Sequence, residues 1–501
     1  MAITQTTEVV RIRSRLLEEV SKLAYAGRLE KDIMGIMDNI VSETGPRYRC
    51  CVHKERAVLR QRINLALSQS FDISQEEAVA EALAGKVTEV PWLRVLPEAC
   101  DQCPIDKYLV TDACRNCLAH NCINSCPKKA IMVVQNRAYI DKNRCVECGL
   151  CKKNCQYGAI IEISRPCERA CAVGAIAAGG DRKAIIDNEK CVGCGICREA
   201  CPFGAIGDSS VIVQVIRQIL NGKKLYAMLA PAFVGHFGPR TKPGQIVSAV
   251  KKLGFHAVKE VAYGADIVTL KEAQEFLDTV PSQRSVMTSS CCPAFINMIE
   301  KHFPDVKDMV SSTVSPMVAT ARLIKENDPE AVTVFIGPCI AKKAEARKYA
   351  ELVDYTLTFE EVAAMITGKG MDIDLMLDDG FESAASGTGN GFACAGGVAQ
   401  AVKTAVDSLD PEAVVKPLAL NAQGLENCAE AIRQIRAGKL EANLLEGMAC
   451  YGGCIGGPAA LGNVRVANKL VENFVKQSAT TDAVSNEAAK TDSEGLGHLH
   501  R

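Results

Sequence analysis

Two stretches of this chain align residue for residue: CVECGLCKKNCQYGAI at 145–160 and CVGCGICREACPFGAI at 191–206. Both space their cysteines C-x2-C-x2-C-x3-C. They are Cys145, Cys148, Cys151 and Cys155 in the first, and Cys191, Cys194, Cys197 and Cys201 in the second. Three thiolates so close in sequence can reach three irons of one four-iron cubane, and the fourth points to a neighbouring cluster. Zinc also takes four thiolates, but the doubled spacing with Gly-Ala-Ile closing each half favours iron–sulfur. By that exchange, Cys145, Cys148, Cys151 and Cys201 are expected on one [4Fe–4S] cluster. Cys191, Cys194, Cys197 and Cys155 are expected on the other.

A looser array surrounds this repeat. Cys100 and Cys103 are spaced x2, and Cys114, Cys117, Cys122 and Cys126 run x2, x4, x3. Cys167 and Cys171, in RPCERACAVGAI, look like half of a ferredoxin unit. These eight extend the expectation to three or four accessory cubanes. Cys171 is assigned to Cys114, Cys117 and Cys122, and Cys126 and Cys167 to Cys100 and Cys103. His120, between two of these cysteines, is read as a satisfied surface histidine; Cys50 and Cys51 have no assigned role, buried structural thiols being the plain reading. Residues 100–206 hold little apolar material between cysteines, so bound metal must hold the segment together.

The chain has 25 cysteines, 18 of them between Cys50 and Cys201, and a net charge of −1. Reducing cytosol disfavours disulfides, so such density reads as metal-binding or catalytic. The charge balance makes no case for nucleic acid or a membrane surface as partner. No apolar run approaches a bilayer span, and MAITQTTEVVRIRSRLLEEV lacks the features of a signal peptide. A cytoplasmic location is expected.

Residues 1–95 show apolar spacing of three and four, with breaks at Gly45-Pro46 and Ser74, and predict a small helical region. A cysteine-rich iron–sulfur segment is expected at 96–135 and a ferredoxin-like 2[4Fe–4S] domain at 136–210. From 222 to 472, KLYAMLAP, AVKEVAY, SVMTSS and AVTVFIGP read as short buried strands, each leading into a loop or helix. This predicts an α/β domain whose site lies at the strand ends. The tail 477–501 is polar and small, and is expected to be disordered.

Seven cysteines remain, several in unusual contexts: TSSCCPAF at 288–295, GPCIAKK at 337–343 and EGMACYGGCIGGPA at 446–459. None has C-x2-C spacing, so they make no local ferredoxin cluster, but strand ends can bring them together. Jointly they resemble the three signatures of [FeFe]-hydrogenases, and PRYRCCVHKERA more weakly resembles the monomeric clostridial-type branch. The resemblance implies two βα lobes around an active-site cluster. It also implies a [4Fe–4S] cubane on Cys292, Cys339, Cys450 and Cys454. Through Cys454 the cubane would bridge to a two-iron subcluster bearing CO, cyanide and a dithiolate amine, the whole being the H-cluster. Lys342 would hydrogen-bond a cyanide, and Pro231, Phe392 and Met448 would wall the pocket. Cys291 would pass protons to the amine, with Glu272, Glu275 and Ser311 as the relay outward.

The implied activity is reversible 2H⁺ + 2e⁻ ⇌ H₂, with ferredoxin or a similar carrier as electron partner and hydrogenase maturation proteins supplying the cofactor. The alternatives are a hydrogenase-like iron–sulfur assembly factor, which lacks the counterparts of Cys454 and Cys291, and a hydrogen sensor, which appends a signalling domain. Ala232, Met317, Gly337, Tyr451 and Thr279 depart from residues common in the family: serine, glutamine, methionine, proline and arginine respectively.

Overall fold

The computed structural model describes residues 7–41, 48–89, 91–104, 107–181, 183–378, 383–497 and 499–501. The Gly45-Pro46 break lies outside them. The periodic N-terminal segments are helices, chiefly Glu8–Tyr25, Val52–Ala66 and Gln75–Leu83. Ser74 caps the last of these, its hydroxyl accepting the Glu77 amide hydrogen at 3.1 Å. Leu16, Leu17, Val20 and Leu23 of the first helix share one core with the strands of the following α/β lobe. That helix lies against Phe359–Gly368, where a side chain at Gly368 would start 2.8 Å from Ser21 Cβ. Glycine therefore sets how closely the two helices approach.

Eight short strands organise the cysteine-rich region: β1 (Leu93–Val95), β2 (Tyr108–Val110), β3 (Ile131–Val134), β4 (Arg137–Ile140), β5 (Ile160–Glu162), β6 (Ile176–Ala178), β7 (Ala184–Ile186) and β8 (Ile206–Asp208). β2 pairs with β5 and β3 with β4, all antiparallel, making one module from residues 107–163. β1 pairs with β8 and β6 with β7 in the same way, making a second. Their closing contacts correspond: the Thr111 amide donates to the Ala159 carbonyl, and the Leu96 amide to the Ala205 carbonyl. The first module is thus inserted into the second. This corrects the expected division into a segment at 96–135 and one domain at 136–210. The aligned repeats are equivalent halves of two different modules, and residue similarity alone cannot distinguish equivalent halves from complementary ones.

From residue 225 the strands are β9 (Leu225–Leu229), β10 (Ala257–Glu260), β11 (Met287–Thr288), β12 (Val332–Gly337), β13 (Tyr355–Thr358), β14 (Ala419–Gln423) and β15 (Leu444–Met448). Four form a parallel sheet in the order β10-β9-β12-β13, and three a parallel sheet in the order β11-β15-β14. These are the two βα lobes, with buried, nearly continuous apolar strands as parallel pairing requires.

A buried ionic network joins all three regions. Arg198 of the second iron–sulfur module pairs with Glu360 and, at 2.9 Å, with Asp208. Lys343 of the first lobe reaches Asp208 at 2.8 Å and Glu361 at 3.1 Å, and Arg13 of the first helix reaches Glu360 at 2.5 Å. Every member has an opposite charge, which offsets the cost of taking it out of water.

The tail expected to be disordered is ordered. Glu487–Gly495 is a helix against Val261–Thr279, with the Tyr263 hydroxyl donating to Asp492 at 2.7 Å. The Asn486 amide reaches the buried Asp266 carboxylate at 3.0 Å, and Leu496 and Leu499 enter the core. Arg501 and Leu499 extend the 312–314 segment through backbone hydrogen bonds. Composition describes the tail in isolation, whereas its order comes from buried partners elsewhere in the chain. Among the described residues no helix is long and apolar enough to cross a membrane.

Candidate active site

The cysteine-bearing segments follow the carboxyl ends of parallel strands, where open α/β sheets place ligands. β11 ends at Thr288 and is followed by Cys291 and Cys292; the latter is the N-cap of the helix Pro293–His302, with Pro293 as its first residue. β12 ends at Gly337, ahead of Cys339 and the helix Ala341–Lys348 that carries Lys342. β15 ends at Met448, ahead of Cys450 and a short turn of helix with Cys454. Each sheet contributes to one site between the lobes.

Cys291, Cys292, Cys339, Cys450 and Cys454 line one cavity of about 80 Å³, along with Lys342, Pro231, Phe392 and Met448. Its wall is otherwise almost wholly apolar. Cys454 is open to this cavity, while protein surrounds it on every side. Burial pushes the Cys339 thiol up to about 11, and the thiols of Cys291 and Cys450 well above their ordinary value. A set of buried thiols with no positive charge but Lys342 suits a group that supplies compensating metal charge. The Lys342 ammonium is held by Glu345 at 2.6 Å, the Ser315 hydroxyl at 2.9 Å and the Cys291 carbonyl at 3.3 Å. Burial alone would lower its pKa; Glu345 outweighs that and keeps it raised and charged. Gly337 has a packing reason: a Cβ there would sit 2.6 Å from the Phe335 ring, which lines the cavity.

A polar file leads outward from Cys291. Glu272 is fully buried and accepts from the Ser290 hydroxyl at 2.9 Å. Burial, reinforced by the charge of Glu275, pushes its carboxyl up to about 7 against the pull of Ser290 and Ser311. Glu275, one helical turn on, accepts from the Ser311 hydroxyl at 2.7 Å, the Ser312 amide at 2.9 Å and Arg284 at 2.6 Å. Burial would raise Glu275, but these donors hold it below its ordinary value. An inner carboxyl that titrates near neutrality beside an outer one that stays ionised is an arrangement suited to proton transfer. Ser290 and Arg284 went unnoticed in the sequence. Ser290 was adjacent to Cys291 in TSSCCPAF. Arg284 was hidden by distance, for its Nε donates to the Thr279 hydroxyl at 3.0 Å, so the guanidinium comes from five residues beyond the position expected to carry it.

The accessory cysteines group differently from the expectation. Cys145, Cys148 and Cys151 share a cavity of about 20 Å³ with Cys126, not Cys201. Cys114, Cys117 and Cys122 share one of about 30 Å³ with Cys155, not Cys171. In the second module Cys201 acts through space on Cys103 and Cys167, next to Cys100, and Cys171 acts on Cys191, Cys194 and Cys197. The last cysteine of each module does lie with the first group, but inside one module, because antiparallel closure of β2 on β5 and of β1 on β8 returns it there. Backbone amides donate to Cys126 and Cys171 at 3.3 and 3.2 Å, and to Cys100 and Cys201 at 3.3 Å. His120 borders the Cys114 group, with Nε2 3.2 Å from Asn116.

Cys194 lines the 80 Å³ cavity too, so the second module abuts the site. Gly195 makes that approach possible. Its φ is +82°, and a Cβ would meet Ile340 at 2.8 Å and Pro458 at 2.9 Å.

Residues 223–458 match the family described as iron only hydrogenase large subunit, C-terminal domain, and 138–161 and 184–207 each match the 4Fe-4S binding domain. The chain is an iron–sulfur protein in which two ferredoxin-like modules adjoin an α/β domain. Its residues 223–458, just under half of the chain, form an iron-only hydrogenase-like domain. The chain is 28% identical over 287 residues to the NADP-reducing hydrogenase subunit HndD of Solidesulfovibrio fructosivorans, covering 47% of this chain and 49% of that one. It is 29% identical over 335 residues to the periplasmic [Fe] hydrogenase large subunit of Nitratidesulfovibrio vulgaris, covering 55% and 79%. A 97-residue stretch is 34% identical to the cytosolic Fe-S cluster assembly factor NAR1 of Kluyveromyces lactis, covering 19% and 21%. The chain thus spans about half the length of the first of these relatives.

Proposed function

We propose that this chain is a hydrogenase that interconverts protons, electrons and H₂. The carrying observation is that Cys292, Cys339, Cys450 and Cys454, from three separate segments, meet Cys291 and Lys342 around one cavity. Those four cysteines would hold the active-site cubane, with Cys454 the link to the two-iron group with its CO, cyanide and dithiolate amine. When bound, that group supplies the redox chemistry with hydrogen. The chain's own residues do the rest. Lys342 offers a charge-assisted hydrogen bond to an anionic ligand, while Pro231, Phe392 and Met448 exclude water. Cys291 exchanges a proton at its sulfur, and Glu272, Ser311 and Glu275 carry it outward.

The assembly-factor reading has support in the NAR1 stretch, but Cys291 and Cys454 both face the cavity, which favours catalysis. Maturation proteins would install the two-iron group, and a ferredoxin-like carrier would supply electrons. A reducing compartment such as the cytoplasm suits the thiols, which form no disulfide among the described residues.

Four accessory cubanes, an active-site cubane and a two-iron group amount to about 22 irons per chain. Anaerobically matured protein should hold that iron, show infrared bands of metal-bound CO and cyanide, and evolve hydrogen from reduced dye. Iron without those bands and without hydrogen would favour the assembly-factor reading.

The cluster groupings are separately testable. Cys126→Ala should convert or empty the site of Cys145, Cys148 and Cys151 and leave the spectroscopic signal from Cys100, Cys103 and Cys167 intact. Cys201→Ala should do the reverse. The opposite pattern would restore the exchange between the two aligned repeats.

A further inference from the structure

Arg62, on the helix Val52–Ala66, is a buried guanidinium with no acidic partner among the described residues. Burial works against its charge first, then Arg13, Arg49 and Arg198 close by; Cys201 favours it. The acids beside it, Asp208 and Glu360, are engaged by Arg198, Lys343 and Arg13. What Arg62 touches is a peptide: it donates to the Gly204 carbonyl at 2.5 Å. The amide of that same peptide unit, on Ala205, donates to the Cys201 sulfur at 3.3 Å. Glycine makes the approach possible, for Gly204 has a φ of +58° and a Cβ would lie 2.5 Å from Arg62 Nη2. The same amide-to-sulfur bond recurs from Ala130 to Cys126 and from Ala175 to Cys171. Among the described residues neither of those peptides, through Lys129 or Gly174, has a charged side chain on its carbonyl.

We propose that Arg62 is a positioning residue that raises the reduction potential of the cluster on Cys100, Cys103, Cys167 and Cys201, acting through the Gly204–Ala205 peptide. A cation on the carbonyl oxygen polarises the peptide and strengthens the bond its N–H makes to sulfur. Hydrogen bonds to cluster sulfur and nearby positive charge both favour the reduced cluster, which carries one more negative charge. Burial keeps salt from screening the effect. This group neighbours that of Cys171, Cys191, Cys194 and Cys197, which adjoins the active-site cavity. An electron held on it waits beside the last carrier before the site. The buried charge that looks costly for folding thus has a use in the relay. This inference rests on the electron-relay part of the proposed function and not on its hydrogen chemistry.

The test uses the full chain with its accessory clusters, reduced stepwise with dithionite and mediator dyes and read by electron paramagnetic resonance. The signal lost or converted in Cys201→Ala marks the cluster in question. Arg62→Gln and Arg62→Leu both remove the charge. At the potential that half-reduces this cluster in the unaltered chain, its reduced-to-oxidised ratio should fall about tenfold in either variant. That is a shift of about 59 mV to lower potential for one electron. Arg62→Lys keeps the charge and should recover most of the shift, and the other cluster signals should stay in place throughout. Arg49→Gln is the control. Arg49 donates to the adjacent Phe203 carbonyl at 3.1 Å, but the amide of that peptide, on Gly204, donates to the Cys201 carbonyl rather than to sulfur, and Asp101 pairs the guanidinium. Arg49→Gln should therefore leave the potential nearly unchanged. An unmoved potential in the neutral Arg62 variants overturns the proposal, as does an equal shift in Arg49→Gln or in all the clusters together. Loss of cluster iron in both neutral variants overturns it too, since Arg62 would then serve only to hold the fold. Potentials are read without hydrogen evolution, so failure of the hydrogenase reading would leave this result standing.

Discussion

Cys454→Ala is expected to abolish hydrogen evolution and uptake while the ferredoxin-like clusters still take and release electrons. Cys454 opens on the cavity from the turn after β15, whereas the sixteen accessory cysteines lie in the two modules between residues 100 and 201. Removing one thiol therefore separates catalysis from conduction. The separation is read by comparing dye-driven hydrogen evolution with the redox titration of the accessory clusters in the same preparation. Substantial hydrogen evolution from matured Cys454→Ala protein would remove this cysteine from the site. Loss of the accessory signals as well would mean that the variant disturbs folding, which its dye-driven cluster reduction also reports.

Cys291 and Cys292 are expected to fail in different ways. Successive side chains of an extended segment point to opposite sides, and Cys292 sits in extended geometry at the start of the Pro293–His302 helix. Burial raises the pKa of the Cys291 thiol, and among the charged groups near it Glu272 raises it most. A metal-bound thiolate cannot exchange protons as a free thiol can, so one residue cannot do both jobs. Cys292→Ala should cost active-site iron and the CO and cyanide infrared bands. Cys291→Ala should keep both and lose about 10²–10⁴ in rate, the usual effect of removing a general acid. Cys291→Asp should regain part of that rate, because a carboxyl also shuttles protons. Iron loss in Cys291→Ala with retention in Cys292→Ala would reverse the roles. A near-normal rate in Cys291→Ala would send protons by another route.

The type of cluster, the α/β character of residues beyond 222 and the helical N-terminus were legible in the sequence, because each is written in local spacing. Two cysteines three apart reach one cubane wherever the segment lies, and a buried parallel strand is apolar whichever lobe it joins. The three cysteine signatures were legible for the same reason, since each sits on a short strand-to-loop transition. What spacing could not state was which distant segment completes each group.

The tertiary structure decided that completion. It closed β2 on β5 and β1 on β8, so that Cys126 and Cys155 lie with the cysteines of the inserted module and Cys171 and Cys201 with those of the module around it. It brought Arg284 to Glu275 in place of a guanidinium at position 279, and it folded the polar tail against Asp266 and the 312–314 segment. It also set Cys194 in the wall of the active-site cavity. In each case the deciding interaction joins residues far apart in the chain or supplied by different elements. The sequence determined which groups could bind metal or carry a proton; chain closure and burial determined which of them meet.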